Sequence, residues 1–293
     1  MKKLEFSLYV ITGEGCHPGR RLEDVMRETL EGGADILQLR DKKASLRELG
    51  EKAGLLRRLT REYGVPFIVN DHPLLALESD ADGVHLGQDD LSIADARELL
   101  GPERIVGIST HSLEQALKAE TAGVDYIGVG PVYPTATKPG RAAVTLEYVR
   151  QAARHVRIPW TAIGGIHPGN AGEVLAAGAR RLCAVSAVVG SSDPAAVCRE
   201  LRSLIAAASE AATGRTDSSE AGSRPGHPLR LTLNGKEIFT HSSTLQELVE
   251  FHGLSGQRIV AEADGIILAR GNWSRHRLAD GMQIELVHFV GGG

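Results

Sequence analysis

Two carboxylates, three cations and a pair of glycines stand just beyond short apolar runs in this chain. Asp71 follows the run 67–69 and Asp90 the run 83–86; Arg40 and Lys42 follow 35–39, and Lys138 lies beyond 126–129. Two aspartates are hard oxygen donors. With phosphate oxygens and retained waters they are a suitable set for Mg2+. Arg40, Lys42 and Lys138 add positive charge to the same region, and a guanidinium can grip phosphate oxygens with two parallel hydrogen bonds. That combination suits departure of a diphosphate. Gly164-Gly165, placed before a helix start at Pro168, and Ser186 one loop further on form a second phosphate-binding candidate through exposed backbone N–H groups. Each has a structural alternative. Asp71 caps a helix starting at Pro73, Asp89 or Asp90 caps one near Ser92, Gly164-Gly165 is a plain tight turn, and His85 and His111 are hydrogen-bonded core histidines.

These residues need a frame that gathers loop positions, and the pattern supplies one. Apolar runs at 6–11, 35–39, 67–69, 83–86, 105–108, 126–129, 160–163 and 181–185 alternate with amphipathic stretches such as 21–31, 46–63, 112–122 and 194–207. Gly33-Ala34-Asp35 and Gly123-Val124-Asp125 read as helix ends feeding the next strand. Eight such units within residues 1–207 predict a (β/α)8 TIM barrel, in which the ends of the strands and the following loops carry the chemistry. An open doubly wound sheet is the alternative, because counting units does not prove closure.

Composition changes after Ala206-Ala207-Ala208. Residues 208–228 are rich in Gly, Ser, Thr and Pro and predict a flexible linker with an r.m.s. span on the order of 25 Å. Residues 229–293 then read as two strands around Asn234-Gly235, a helix over 244–252 capped by Ser242 or Ser243, and strands at 258–262, 266–268 and 283–289. That order predicts a small α+β β-grasp, the ubiquitin-like fold. It closes on Val290-Gly291-Gly292-Gly293. A run without Cβ atoms can thread a narrow tunnel and present the Gly293 carboxylate as a reactant.

The chain has 293 residues, 42% of them hydrophobic and 24% charged, with a net charge of −4. That balance gives no reason to expect nucleic acid or an anionic membrane. No apolar run reaches the ~20 residues of a membrane span, and Met1-Lys2-Lys3 opens no signal peptide, so a cytoplasmic location is expected. Cys16, Cys183 and Cys198 form no CxxC pair and read as structural thiols.

The motifs Gln38-Leu39-Arg40-Asp41-Lys42, Val69-Asn70-Asp71, Gly83-Val84-His85-Leu86-Gly87-Gln88-Asp89-Asp90, Gly130-Pro131-Val132-Tyr133-Pro134-Thr135-Ala136-Thr137-Lys138 and Ile163-Gly164-Gly165-Ile166 together resemble the thiamin phosphate synthase family. Leu233-Asn234-Gly235-Lys236 and Val287-His288-Phe289-Val290-Gly291-Gly292-Gly293 resemble the sulfur carrier proteins of thiamin biosynthesis. The first resemblance implies that 4-amino-2-methyl-5-pyrimidinylmethyl diphosphate is joined to 4-methyl-5-hydroxyethylthiazole phosphate, releasing diphosphate. It implies that Gln38, Leu39, Arg40, Asp41, Lys42 and Asn70 bind the pyrimidine diphosphate. Asp71 and Asp90 would hold Mg2+, with Ser109 and Lys138 on the diphosphate. Thr135, Ala136, Thr137, Gly165, Val185 and Ser186 would take the thiazole phosphate. The second resemblance implies an adenylylating activating enzyme and thiazole synthase as partners, with sulfur carried as a Gly293 thiocarboxylate. A related barrel, a thiazole tautomerase using His111 as acid–base group, joined to a non-carrier ubiquitin-like interaction module, is the competing expectation.

Overall fold

The computed structural model describes residues 4–13, 15–135, 143–213, 228–257 and 259–288. Two compact units divide the chain, residues 1–221 and 222–293. In the first, strands β1 (Leu8–Ile11), β2 (Ile36–Leu39), β3 (Phe67–Asn70), β4 (Gly83–Leu86), β5 (Ile105–Thr110), β6 (Tyr126–Val129), β7 (Trp160–Ile163) and β8 (Leu182–Ala184) pair in parallel, in sequence order. β1 also pairs with β8, Leu8 opposite Leu182 and Val10 opposite Ala184, so the sheet is a closed barrel and the open-sheet alternative fails.

Strand alternation sorts the side chains into two layers. Leu8, Val10, Leu37, Leu39, Phe67, Val69, Val84, Leu86, Val106 and Ile108 pack outward against the helices. Tyr9, Ile11, Ile36, Ile68, Tyr126 and Cys183 point into the barrel with Phe6 beneath them. Helices α1 (Leu22–Glu31), α2 (Leu46–Tyr63), α3 (Pro73–Glu78), α4 (Ile93–Leu100), α5 (Leu113–Thr121), α6 (Thr145–His155), α7 (Pro168–Ala176), α8 (Ser186–Val189) and α9 (Pro194–Thr213) surround it. α9 runs past Ala207 into the stretch expected to be linker. Ala206, Ala207, Ala208, Glu210 and Ala211 are strong helix formers, which outweighs the polar composition that follows.

The turns before the strands hold the closed end of the barrel. Gly33 and Gly123 adopt φ 94° and 79°, in the left-handed region that glycine enters without strain. The aspartates that follow act as clamps. Asp35 accepts hydrogen bonds from Ser7 N, Ser7 Oγ, Leu8 N and Arg202 Nη1 at 2.6–2.9 Å, tying β1 to β2 and α9. Asp82 does the same for Phe67 N and Arg57, and Asp125 for Val106 N and Arg97. Burial alone would raise the Asp35 pKa, but the bonds from Ser7, Leu8 and Arg202 outweigh it and hold the carboxyl below its ordinary value. A depressed folded-state pKa stabilises the fold above the unfolded value of about 3.9 and ceases to do so as pH falls through the folded value. Asp35→Asn is therefore expected to lower the melting temperature at neutral pH, with the gap from wild type closing below about pH 4. A gap that is constant from pH 7 down to acid would contradict the clamp.

In the second unit β9 (Leu229–Leu233), β10 (Lys236–Thr240), α10 (Leu245–Phe251), β11 (Ile259–Ala263), β12 (Ile266–Leu268) and β13 (Gln283–His288) form a five-stranded sheet in the order β10-β9-β13-β11-β12. β13 runs parallel to β9, and the other neighbours are antiparallel. Asn234 and Gly235, at φ 47° and 73°, make the tight hairpin with both central residues left-handed. The Asn234 side chain also reaches across to β13, accepting from Leu286 N at 2.7 Å. The helix cap is Thr244, whose hydroxyl accepts from Glu247 N at 3.2 Å. Ser243, expected as the cap with Ser242, instead donates its N–H and hydroxyl to the Glu247 carboxylate. Leu231, Leu245, Leu248, Val249, Ala261, Trp273, Ile284 and Leu286 make this unit's own core.

Candidate active site

The polar residues that follow the strands converge at the C-terminal end of the barrel. A cavity enclosing about 740 Å³, its open mouth included, is lined by Gln38, Arg40, Asn70, Ser109, Thr135, Gly165, Val185 and Ser186 among the expected site residues. Its walls also use Ile11, His85, His111, Gly128, Gly130, Pro131, Ile163, Gly164, Ile166 and Cys183. Lys42, Asn70 and Asp71 line a small recess, so Asn70 belongs to both. Leu39 is buried in the layer between barrel and helices, and Asp41 turns to Lys52, Lys43 N and Ala44 N; neither lines the main cavity. Ala136, Thr137, Lys138 and Gly293 lie outside the described residues.

The carboxylates meet. Asp71, on the turn after β3, takes φ 62°, an unusual backbone for a non-glycine residue, and its N–H donates to His85 O at 2.9 Å. That pose sets one carboxylate oxygen 2.8 Å from Lys42 Nζ. Asp90 accepts from Gly87 N at 2.6 Å. Burial, and then a hydrogen bond with Asp71, raise its pKa above the ordinary carboxylate value, with Lys42 pulling the other way. Two acids close enough to share a proton are close enough to share a cation. The capping alternatives fail: α3 has His72 before it with no side-chain cap, and α4 is capped by Ser92, whose hydroxyl accepts from Asp95 N.

Within the cavity, Gln38 is 1% exposed and Arg40 7% exposed. Among the described residues Gln38 Oε1 and Arg40 Nε have no hydrogen-bond partner. Buried polar atoms are rarely left so, and both stand where a polar group in the cavity could meet them. On the opposite wall Gly164 and Gly165 take φ 103° and 65°. A Cβ on Gly164 would lie 2.5 Å from Pro131 Cα, so the loops after β6 and β7 touch only because this residue is glycine. Asn170 Nδ2 donates to Gly165 O at 2.9 Å and fixes the turn ahead of α7. The pair is thus more than a plain turn, since it forms one wall of the cavity.

Sequence reasoning missed Tyr9 and Tyr126. Their hydroxyls lie 2.8 Å apart; Gln38 Nε2 donates to Tyr9 at 2.7 Å, and His85 Nδ1 lies 2.9 Å from Tyr126 Oη. The available signal was their register: each stands two positions from a cavity-lining residue, Ile11 or Gly128, on its own strand.

Residues 8–188 match the model of the thiamine monophosphate synthase family, and residues 230–293 that of the ThiS family. The chain belongs to the thiamine monophosphate synthase family. It is 50% identical over 206 residues to a thiamine-phosphate synthase of Shouchella clausii, an alignment covering 70% of this chain and 99% of that one. A thiamine-phosphate synthase of Halalkalibacterium halodurans is 48% identical, with 69% and 96% covered. A thiamine phosphate pyrophosphorylase from Pyrococcus furiosus superposes with a TM-score of 0.64 at 42% identity, covering 69% of this chain and 96% of that structure. The chain is accordingly a transferase with thiamine-phosphate synthase activity in thiamine biosynthesis, carrying a ThiS sulfur-carrier domain. The tautomerase expectation for the barrel gives way to this assignment, and His111, with Nδ1 2.5 Å from Gly130 O, is one of the cavity walls. Among the described residues no helix is long and apolar enough to cross a membrane.

Proposed function

We propose that Asp71 and Asp90 hold a Mg2+ ion that binds the diphosphate of the pyrimidine substrate, while the cavity beneath them positions the two heterocycles. The adjoining carboxylates are the observation that carries this reading. The donor set fits that ion: two adjoining carboxylates supply hard oxygen ligands, and water and phosphate oxygens would complete the shell. When bound, the ion would neutralise charge developing on the leaving diphosphate.

The chain's own residues do the rest. Lys42, held beside Asp71, and the buried Arg40 face the diphosphate, and Lys138 supplies a third positive charge to it. Ser109 hydrogen-bonds the same group, and Asn70 bridges rim and cavity. Gln38 Oε1 accepts from the pyrimidine amino group, which supplies a donor that the buried oxygen lacks among the described residues. Thr135, Ala136, Thr137, Gly165, Val185 and Ser186 hold the thiazole phosphate. Leu39 and Asp41 shape the loop that carries Arg40 and Lys42. The bond from the pyrimidinylmethyl carbon to diphosphate oxygen breaks first, its electron pair leaving with the diphosphate. The thiazole nitrogen lone pair then forms the new C–N bond. That nitrogen carries no proton, so no general base is needed; catalysis is charge stabilisation and positioning. Coupling of the two substrates by the purified chain, followed through diphosphate release, should require a divalent cation and stop in excess chelator. Full turnover in chelator would remove the assignment of Asp71 and Asp90.

For the C-terminal domain we infer that Gly293 is adenylylated by a separate activating enzyme and becomes a thiocarboxylate that delivers sulfur to thiazole synthase. The glycine run and the ThiS match over 230–293 support this. Intact-mass analysis of the chain from cells containing the activating enzyme should show one oxygen replaced by sulfur, located in the C-terminal peptide. An unmodified terminus there, alongside a thiocarboxylated control carrier, would contradict it.

A further inference from the structure

A continuous run of hydrogen bonds crosses the barrel interior. It goes from Gln38 Nε2 to Tyr9 Oη (2.7 Å), to Tyr126 Oη (2.8 Å), to His85 Nδ1 (2.9 Å), and from His85 Nε2 to Ser109 Oγ (2.9 Å). Its two ends, Gln38 and Ser109, line the cavity. Proton count gives the run a direction. A primary amide nitrogen only donates, so Tyr9 Oη accepts from Gln38 and gives its own hydrogen to Tyr126. Tyr126 must then donate to His85 Nδ1, which makes His85 a neutral imidazole with its hydrogen on Nε2, donated to Ser109 Oγ. The Ser109 hydrogen is thereby freed for an acceptor in the cavity. Burial raises the pKa of both tyrosines, so both hydroxyls keep their hydrogens.

The rings are built into place. Phe6 meets Tyr9 and Tyr126 edge-on, with centroids 6.0 and 6.1 Å away, and the His85 ring lies 5.5 Å from that of Tyr126. On β5, a Cβ at Gly107 would fall 2.2 Å from Tyr126 Cε1 and Cζ, so the ring occupies space that any other residue there would fill.

We propose that Tyr9, Tyr126 and His85 are positioning residues that fix the polarity of the site. They hold the Gln38 amide with its oxygen toward the cavity and the Ser109 hydroxyl with its hydrogen toward the cavity. The inference rests on the reading of this cavity as the pyrimidine diphosphate site. An acceptor at one end then meets the ring amino group, and a donor at the other meets a diphosphate oxygen. A pyrimidine with an oxo group in place of the amino group would set oxygen against oxygen at Gln38. The amide can turn over only if every bond in the run reverses with it, which moves the His85 hydrogen from Nε2 to Nδ1. Sites that hydrogen-bond a substrate in this way reject the mismatched analogue strongly.

Two measurements on the full-length chain test this. The first is the ratio of kcat/KM for amino- and oxo-pyrimidine diphosphates. Tyr9→Phe frees the amide to flip and should narrow that ratio at least about tenfold, through loss on the amino substrate and gain on the oxo one. An equal fall on both substrates would overturn the proposal. The second uses nitrogen-15-labelled histidine, with the His85 signals assigned by their loss in His85→Gln. Wild type should show a single neutral Nε2–H tautomer, and Tyr126→Phe a mixture of the two. A tautomer unchanged in Tyr126→Phe, or a wild-type ring protonated on Nδ1, would also overturn it. Gln38→Ala separates this inference from its foundation. If that variant leaves the amino/oxo ratio intact, the pyrimidine assignment falls and the histidine spectrum alone decides the hydrogen-bond direction. If it collapses the ratio while Tyr9→Phe does not, the assignment stands and the positioning role is lost.

Discussion

Asp90→Asn is expected to lower kcat by about two to four orders of magnitude while the barrel stays folded. The ratio follows from the chemistry assigned to the rim: a bound cation is worth several kcal/mol of charge stabilisation on a leaving diphosphate, and each 1.36 kcal/mol is about tenfold in rate. An asparagine keeps the oxygen that accepts from Gly87 N, so the loop after β4 is preserved and only the charge is removed. Asp71→Asn should fall in the same range, with the 2.8 Å contact to Lys42 losing its ion-pair character. The double variant should be little worse than either single one, because the pair acts as a unit. Near-normal turnover in Asp90→Asn, or strictly additive losses, would contradict the shared site.

Trp273→Ala should unfold the C-terminal domain and leave the barrel intact. Trp273 is 1% exposed, its indole N–H donates to Leu268 O at 3.0 Å, and it is the largest side chain of the small core. Removing a buried tryptophan costs about 3–5 kcal/mol. A domain of this size has little reserve, since small units bury a smaller fraction of their surface. The variant retains Trp160, on β7, as its one tryptophan, so fluorescence then reports the barrel alone. The Trp160 denaturation transition and the rate of coupling should match wild type, while amide exchange protection across residues 229–286 collapses. Loss of coupling activity together with that protection would show that the barrel depends on the second unit.

How far the sequence could be read depended on what each residue type leaves ambiguous. Asp71 and Asp90 could be picked out as candidates because each lies within four residues of the end of an apolar run. The structure then removed the capping alternatives by giving α4 to Ser92. Eight strands were visible from alternation, but closure needed the pairing of β1 with β8, a contact between residues at opposite ends of the unit. Tyr9 and Tyr126 were not visible as functional groups: an aromatic residue in an inward strand position looks like core until its hydroxyl has a partner. Ser242, Ser243 and Thr244 offer three consecutive hydroxyls, and spacing alone does not distinguish the cap from the residue that donates to Glu247. The extent of α9 was masked by the change in composition after Ala208, although the alanines themselves favour helix.

The placement of β13 between β9 and β11 has a consequence for biosynthesis of the polypeptide. Domains fold in the order in which they leave the ribosome. All eight barrel strands have been made by residue 184, whereas the small sheet lacks its middle until residues 283–288 emerge. A translation product cut short after β12 would therefore carry a finished synthase beside two unpaired strand edges, an invitation to pairing with other chains.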